Sequence, residues 1–246
     1  MRYFVEFSYN GKAYHGWQKQ SNSITIQDEL TRCMSLQLHQ QVELIGAGRT
    51  DAGVHAMQMF AHFNITNEID SERLITKLNS FLPNDILIHD IFKVKEKIHA
   101  RFSAVERTYQ YFISDRKNVF NNNIYVVHKD IDICKMNESC KVLIGKHDFT
   151  SFSKLSTDTV SNICSVTYAA WDKEGDVYTF TISANRFLRN MVRSIVGTLL
   201  DIGAGKKDIK EIQEIIDEKD RCKAGFSVPA KGLFLKSIQY PDGIRE

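Results

Sequence analysis

The sequence predicts an α+β protein built from two halves of similar size. Segments of strand-type residues alternate with segments of helical periodicity, and several neighbouring strands carry hairpin signals. The length of 246 residues suits one or two domains. Hydrophobic residues make up 43% of the chain and charged residues 25%, which is typical of a globular protein with its own core.

The first half begins with a strand, RYFVEFSY, that ends at an Asn-Gly turn. A helix is expected over residues 26–38, because Thr25 and Asp28 form a capping box and apolar residues recur four apart. A short strand, VELIGA, and a longer one, MQMFAHFNI, enclose a polar loop. A second helix opens at Ser71 and stops before Pro83, and strands follow at ILIHDIFKV and RTYQYFIS.

The second half shows the same alternation. Asp132 is expected to cap a helix that runs to Gly145. The segment VTYAAWDKEGDVYTFTIS predicts a hairpin that turns at Glu174-Gly175-Asp176. A long helix is expected from Phe187 to Ile202, then a shorter helix over DIKEIQEIIDE and a final strand over GLFLKSIQY.

The boundary between the halves is expected near residues 100–106. This gives an N-terminal domain over residues 1–104 and a C-terminal domain over residues 105–246. No proline- or glycine-rich linker marks the boundary, so two firmly packed domains are expected.

Cysteine usage and hydropathy exclude several classes of protein. The five cysteines are odd in number and form no C-x-x-C pair, which argues against a disulfide framework and a zinc ribbon. No apolar run approaches the roughly 18 residues that span a bilayer, and Glu6 interrupts any signal-peptide core. His55 and His62 lack a third ligand, so no metal site is expected. We therefore expect a soluble, cytoplasmic protein.

Basic charge is concentrated in two segments. The whole chain has a net charge of +2, yet residues 93–117 hold seven Lys/Arg against three Asp/Glu, and residues 185–210 hold six against two. The rest of the chain is therefore net acidic. Such a distribution favours a local anionic partner such as a phosphate backbone, and the alternative is two solvated basic faces.

The most unusual segment is the loop GAGRTDAGVH, residues 46–55, which follows a strand. Its glycines suggest a nucleotide-binding loop, yet Asp51 stands where a dinucleotide fingerprint needs glycine, and Val54 where a P-loop needs lysine. The loop instead offers the Asp51 carboxylate beside Arg49, on a backbone flexible enough to approach a ligand. Two interpretations stay open here: a catalytic carboxylate, or a tight turn in which Asp51 bonds the local backbone.

A second segment, ANRFLRNMVR, carries a row of arginines. On the expected helix, Arg186, Arg189 and Arg193 share one side, opposite an apolar side. Arginine binds phosphate and carboxylate with a forked, bidentate geometry. The alternative is a solvated charged face.

A third segment combines HARFS, which contains Arg101, with the strand that follows it. Strand alternation places Arg107, Tyr109 and Tyr111 on one face. An aromatic ring beside a cation suits a nucleobase and its phosphate. The alternative is ordinary packing of strand aromatics in a core.

Taken together, these segments resemble the tRNA pseudouridine synthases of the TruA type. The motif GRTDAGVHA is the most specific, and the likeness continues in order through nearly the whole chain, at YNG, GWQ, LPNDI, HARFSA, R-x-Y-x-Y, DFTSF, MVRSIVG and PAKGL. The resemblance implies two α/β domains that share a continuous, mainly antiparallel sheet, with an active-site cleft between them.

The resemblance also implies an activity. Members isomerise uridine to pseudouridine at positions 38, 39 and 40 of the tRNA anticodon stem-loop, as homodimers and without a metal, nucleotide or other cofactor. The family's catalytic aspartate falls on Asp51, its stacking, substrate-binding tyrosine on Tyr109, and its carboxylate-pairing arginine on Arg193. The target base must be flipped out of its stack. Asp51 then attacks C1′, adds to C6 of uracil or promotes a glycal, and the sequence leaves these three open.

RNA contacts are expected from basic side chains near these motifs, namely Arg49, Arg101, Arg107, Arg186 and Arg189. Two alternatives are a catalytically silent RNA-binding protein and a synthase of the same family with shifted target uridines. The intact set of Asp51, Tyr109 and Arg193 disfavours the silent protein.

Overall fold

The computed structural model describes residues 1–128, 130–154 and 161–246, and their contacts divide the chain into two compact units. The first unit comprises Met1–Val105 and Phe234–Glu246, and the second comprises Glu106–Leu233. Each unit combines helices with mainly antiparallel strands, which confirms the predicted α+β class.

The described ranges contain ten strands and five α-helices. In chain order these elements are β1 (Arg2–Tyr9), α1 (Ile26–Leu38), β2 (Ile45–Gly46), β3 (His55–Asn64), α2 (Ser71–Phe81), β4 (Ile86–Val94), β5 (Glu106–Ser114), β6 (Tyr125–Val126), α3 (Ile133–Leu143), β7 (Gly145–Asp148), β8 (Ile163–Glu174), β9 (Val177–Ala184), α4 (Met191–Gly203), α5 (Glu211–Glu218) and β10 (Leu233–Gln239).

In the first unit the strand order is β4-β1-β3-β10, with the short β2 on β3. β1 is antiparallel to both of its neighbours, whereas β10 runs parallel to β3. Helix α1 begins as its capping box predicts: the Thr25 hydroxyl accepts from the Asp28 N–H and donates to the Asp28 carboxylate at 3.0 Å. Leu30 and Met34 on α1 are fully buried in the core of this unit.

In the second unit the order is β5-β9-β8-β7, with β6 parallel to β5. β8 and β9 form the predicted hairpin, in which Gly175 takes φ 58°. Asp132 caps α3 as predicted, since its carboxylate accepts two backbone N–H groups, those of Cys134 and Lys135. Helix α4 is buried along almost its whole length.

The C-terminal segment differs from the domain bounds that the sequence suggests. Phe234–Glu246 belongs to the first unit, whereas the expected second domain ran over residues 105–246. β10 pairs with β3 in this unit, and the Tyr240 hydroxyl donates to the Ala100 carbonyl at 2.6 Å. Pairing partners so distant in sequence leave no local pattern, so the sequence alone does not place this strand.

No helix in the part of the chain that the structure describes is long and apolar enough to cross a bilayer.

Candidate active site

Asp51 lies on a loop, residues 47–54, that is held by the segment between β1 and α1. We call residues 10–17 the clamp segment. The backbone N–H of Trp17 donates to the Thr50 carbonyl, and the N–H of Gly53 donates to the Tyr14 carbonyl, each at 3.2 Å. These two hydrogen bonds flank Asp51 and fix the backbone on both sides of it.

Two glycines let the clamp segment approach the loop this closely. Gly16 has φ 92°, and a Cβ there would lie 2.4 Å from the Thr50 carbonyl oxygen. A Cβ at Gly11 would lie 1.9 Å from the Val54 carbonyl oxygen. Only glycine fits at positions where one backbone meets another at such distances.

Side chains reinforce the clamp from both ends. The buried Tyr9 hydroxyl is hydrogen-bonded to the Thr50 hydroxyl at 2.8 Å. Trp17 is only 3% exposed and stacks on Phe7 with 5.4 Å between ring centroids, so it packs rather than presents its ring. The sequence LPNDI contributes here as well, because the backbone carbonyl of Asp85 accepts from the N–H of residue 10 at 2.8 Å.

Tyr14 ties Asp85 to the clamp by its side chain too. Its hydroxyl donates to the Asp85 carboxylate at 2.6 Å. Burial and the neighbouring carboxylate raise the pKa of the Tyr14 hydroxyl well above its usual value, so the hydroxyl stays a donor.

Asp51 itself is half-buried, and Arg49 on the same loop is exposed. The Asp51 carbonyl accepts from the Val54 N–H at 3.2 Å, and Gly53 takes φ 77°. A backbone hydrogen bond therefore closes the tight turn that the glycine pattern suggests. The Asp51 side chain extends from this turn.

In the second unit, Tyr109 lies on β5 with Arg107 and Tyr111 on the same face, as predicted. The Tyr109 ring is half-buried and forms a T-shaped contact with the Phe187 ring, with 5.0 Å between centroids. Arg107 donates to the Asn185 carbonyl at 2.8 Å. Tyr111 is fully buried and donates to a backbone carbonyl, so its role is structural.

Arg193 lies in the first turn of α4, where it is held through its Nε. That nitrogen donates to the Val228 carbonyl at 2.7 Å, and the Val228 N–H donates back to the Arg193 carbonyl at 3.2 Å. The Nε bond restrains the guanidinium, and the backbone bond joins the first turn of α4 to Val228. Burial raises the pKa of the nearby Tyr111 hydroxyl, and the positive charge of Arg193 opposes that shift.

The predicted row of arginines on a single helix is wrong. α4 begins at Met191, so Arg193 is helical but Arg186 and Arg189 lie in the loop before it. The helix starts late because Asn190 takes a left-handed conformation, with φ 68° and ψ −2°, and donates to the Ser227 hydroxyl at 2.6 Å. That partner is distant in sequence, and the helical periodicity does not reveal it.

The predicted site residues are divided between the units. Asp51, Arg49 and Arg101 lie in the first unit, and the others lie in the second, namely Arg107, Tyr109, Arg186, Arg189 and Arg193. Sequence analysis missed Phe187, whose ring packs on Tyr109, because no local pattern distinguishes it from a core residue. The pairing of Asp51 with Tyr109 and Arg193 stays a prediction.

The two histidines of β3 hold backbone rather than join a ligand cluster. His55 Nδ1 accepts from the Gly11 N–H at 3.1 Å, and His62 Nδ1 accepts from the Ala100 N–H at 3.2 Å. Both rings are buried. Among the described residues, no group of three or more His, Cys, Asp or Glu side chains is placed to hold a metal ion.

His62 makes stability depend on pH. Burial, followed by the charges of Arg2 and His99, lowers its pKa from 6.5 to about 4. Between pH 6.5 and 4, the unfolded chain therefore binds a proton at His62 that the folded chain does not bind. The free energy of unfolding falls over this range, by on the order of 3 kcal/mol.

We expect His62→Asn to reduce this loss of stability, because asparagine keeps an acceptor near the Nδ1 position but does not titrate. The measurement is urea unfolding as a function of pH.

The exposed His128 offers a control for that measurement. His128→Asn is expected to leave the pH dependence of the unfolding midpoint as in the wild type. If His62→Asn loses stability between pH 6.5 and 4 as steeply as the wild type does, the assignment to His62 is wrong.

Comparison with known proteins gives concordant matches. A family model described as tRNA pseudouridine synthase matches residues 7–103 and 139–241. The tRNA pseudouridine synthase A of Parabacteroides distasonis is 48% identical over 243 residues, which cover 98% of this chain and 96% of that protein. That of Bacteroides fragilis is 49% identical over 249 residues, covering 100% and 98%.

A more distant relative matches over a similar length. The tRNA pseudouridine synthase A of Thermoanaerobacter sp. is 40% identical over 239 residues, which cover 96% of this chain and 98% of that protein. The matched segments include both the clamped Asp51 loop and the turn that leads into α4. The chain belongs to the tRNA pseudouridine synthase family.

Proposed function

We propose that this protein isomerises uridine to pseudouridine at positions 38, 39 and 40 of the tRNA anticodon stem-loop. The observation that carries the proposal is the Asp51 loop, whose family motif is held in one geometry by the clamp segment. The relatives that match almost end to end are named tRNA pseudouridine synthase A, which supports tRNA as the substrate.

The reaction asks the protein for positioning and for proton transfer. The N1–C1′ bond of uridine breaks, the uracil turns, and C5 bonds to C1′; C5 then loses a proton and N1 gains one. Atoms and electrons balance without an external oxidant or reductant, so the reaction needs no cofactor. The target base must first leave its stack, at a cost of a few kcal/mol.

We assign the catalytic carboxylate to Asp51. Cleavage of a glycosidic bond develops positive charge on the sugar, which a carboxylate stabilises or traps. Attack at C1′, addition to C6 and a glycal route all require the carboxylate within reach of the flipped nucleotide. Errors of about 1 Å in such placement cost roughly a hundredfold in rate, which gives the clamp a catalytic purpose.

Tyr109 and Arg193 complete the proposed site. The half-buried Tyr109 ring offers a face for the flipped uracil, and the edge contact with Phe187 keeps that ring in place. We assign the Arg193 guanidinium, which is held through its Nε, as the partner of the Asp51 carboxylate in this proposal.

The remaining basic residues serve the tRNA backbone in this proposal. Arg49, Arg101 and Arg189 are exposed, as phosphate contacts require, and Arg107 and Arg186 are half-buried. Arg107 already donates to the Asn185 carbonyl, so it adds charge while holding that loop. We further propose that the protein works as a homodimer in the cytoplasm.

Mapping pseudouridine by position tests the proposed function directly. Wild-type protein is incubated with unmodified tRNA transcripts that carry uridine at positions 38, 39 and 40, and with a transcript that carries cytidine at all three. We expect product at those positions in the first set and none in the second. Product at other positions supports the shifted-target alternative, and binding without product supports the silent RNA-binding protein.

The clamp generates a second prediction. Gly16→Ala places a Cβ where the Thr50 carbonyl stands, at a backbone angle that L-residues avoid. We expect kcat for pseudouridine formation to fall about a hundredfold because Asp51 moves. Gly48→Ala is the matched control in the same loop, since the structure places none of the described residues within 4 Å of its Cβ, and it is expected to keep near-wild-type kcat.

Thermal unfolding of both variants separates loss of positioning from loss of fold. If Gly16→Ala does not fold, Tyr9→Phe removes the hydroxyl bond to Thr50 with a smaller change and is expected to lower kcat in the same direction. A folded Gly16→Ala protein with wild-type kcat contradicts the role of the clamp.

A further inference from the structure

A second exposed feature of the first unit is the turn formed by residues 98–103, IHARFS, which we call the 98–103 turn. Its backbone is tied to three distant side chains. Arg2 donates to the Ile98 carbonyl at 2.9 Å, and the Tyr240 hydroxyl donates to the Ala100 carbonyl at 2.6 Å. On the other side of the turn, the buried His62 ring accepts from the Ala100 N–H at 3.2 Å.

The turn is also closed from within. His99 Nδ1 accepts from the N–H groups of Arg101 and Phe102, at 3.0 and 3.3 Å. The Ser103 hydroxyl accepts from the His99 N–H at 2.9 Å, and the Ser103 N–H donates to the His99 carbonyl at 2.9 Å. A turn with this many fixed groups presents its side chains in a defined direction.

The side chain at the tip of this turn is a phenylalanine that is 75% exposed. The guanidinium of Arg101 lies over the Phe102 ring at 5.5 Å, and the His99 ring lies 4.4 Å from it. Neither contact buries the phenylalanine, so the core gains little from it. The hydrogen-bonded turn therefore leaves an aromatic ring and a guanidinium side by side and accessible to a partner.

We propose that Phe102 and Arg101 together form a stacking contact for an unpaired base of the tRNA substrate, distinct from the uridine that reacts. The inference rests on the proposed function. Aromatic rings and guanidinium planes both stack on exposed bases, and the same guanidinium reaches phosphate. The charge of the segment fits, because residues 95–103 contain three basic side chains and one acidic side chain.

A second pair of an arginine and an exposed phenylalanine in this unit, Arg32 and Phe81, lacks the net positive charge of the 98–103 turn. Arg32 lies over the ring of Phe81 at 5.4 Å, and Phe81 is 45% exposed. Arg32, however, forms an ion pair with Glu29, so its charge is neutralised locally. Phe81 therefore offers a matched control: the same ring and the same cation, without the basic surroundings.

The first experiment compares Phe102→Ala, Phe102→Trp and Phe81→Ala in tRNA binding and turnover. We expect Phe102→Ala to raise both the Kd and the KM for tRNA about tenfold, as the loss of one stacked base does, and the fall in kcat/KM to come from KM. Phe102→Trp restores the aromatic face and is expected to restore affinity. Phe81→Ala is expected to bind as the wild type does.

Two readouts distinguish stacking from a structural effect. The two native tryptophans, Trp17 and Trp171, are 3% and 2% exposed. Quenching of the Phe102→Trp protein by tRNA is therefore expected to come from the tryptophan at position 102. The salt dependence of Kd separates the roles of Phe102 and Arg101. We expect Phe102→Ala to raise Kd at every salt concentration and to leave the slope of log Kd against log salt concentration unchanged. Arg101→Ala is expected to lower that slope by about one.

Two outcomes would overturn the proposal. These are a Phe102→Ala protein that binds tRNA with wild-type Kd and a Phe102→Trp emission that tRNA leaves unquenched. In the first case, a changed sedimentation mass of Phe102→Ala would mark the turn as a surface for a second copy of the chain. Binding is measured without turnover, so failure of the proposed function, seen as wild-type protein that makes no pseudouridine, is distinguished from failure of this inference.

Discussion

The hydrogen bonds that join the clamp segment to the Asp51 loop are the constraint on which the account of this protein depends. Two backbone bonds, from Trp17 to the Thr50 carbonyl and from Gly53 to the Tyr14 carbonyl, lie on either side of Asp51, the residue that we propose as the catalytic carboxylate. They form only because Gly16 leaves space for the Thr50 carbonyl. A carboxylate on a flexible surface loop would have no fixed position, whereas the backbone that carries the Asp51 carboxylate is held on both sides.

Strand β3 holds two backbone segments of the first unit by hydrogen bonds to its side chains. It carries two buried histidines, and the Nδ1 of each accepts the backbone N–H of a different loop. His55 holds the clamp segment at Gly11, and His62 holds the 98–103 turn at Ala100. One strand thus anchors the loop that supports the carboxylate and the turn that we assign to tRNA binding. The cost is a chain that loses stability in acid, because His62 must stay neutral to accept.

Much of this structure was predictable from the sequence because local physics determines it. The Thr25 capping box, the Asp132 cap and the Gly175 turn each depend on residues within three positions of one another, and all three formed as expected. The strand face of Tyr109 was likewise predictable, from alternation along β5. The catalytic role of Asp51 was expected from the family resemblance and stays a prediction.

The failures share a different cause. The start of α4 is set by the left-handed Asn190 and its bond to Ser227, and the placement of β10 is set by pairing with β3. Both partners are distant in sequence, so neither leaves a periodic signal. Strand alternation also predicts that Met57, Met59 and Ala61 form one buried face of β3, yet Met57 is 43% exposed while Met59 and Ala61 are fully buried.

Asp51→Asn is the most direct test of whether the clamped carboxylate performs the chemistry. This change keeps the size of the side chain, removes its negative charge and replaces one acceptor oxygen with an amide donor. The measurement is single-turnover formation of pseudouridine on full-length tRNA, with the Kd for the same tRNA determined in parallel. We expect no detectable product and a Kd close to that of the wild type. Product formed at a rate near that of the wild type would contradict the catalytic role of Asp51.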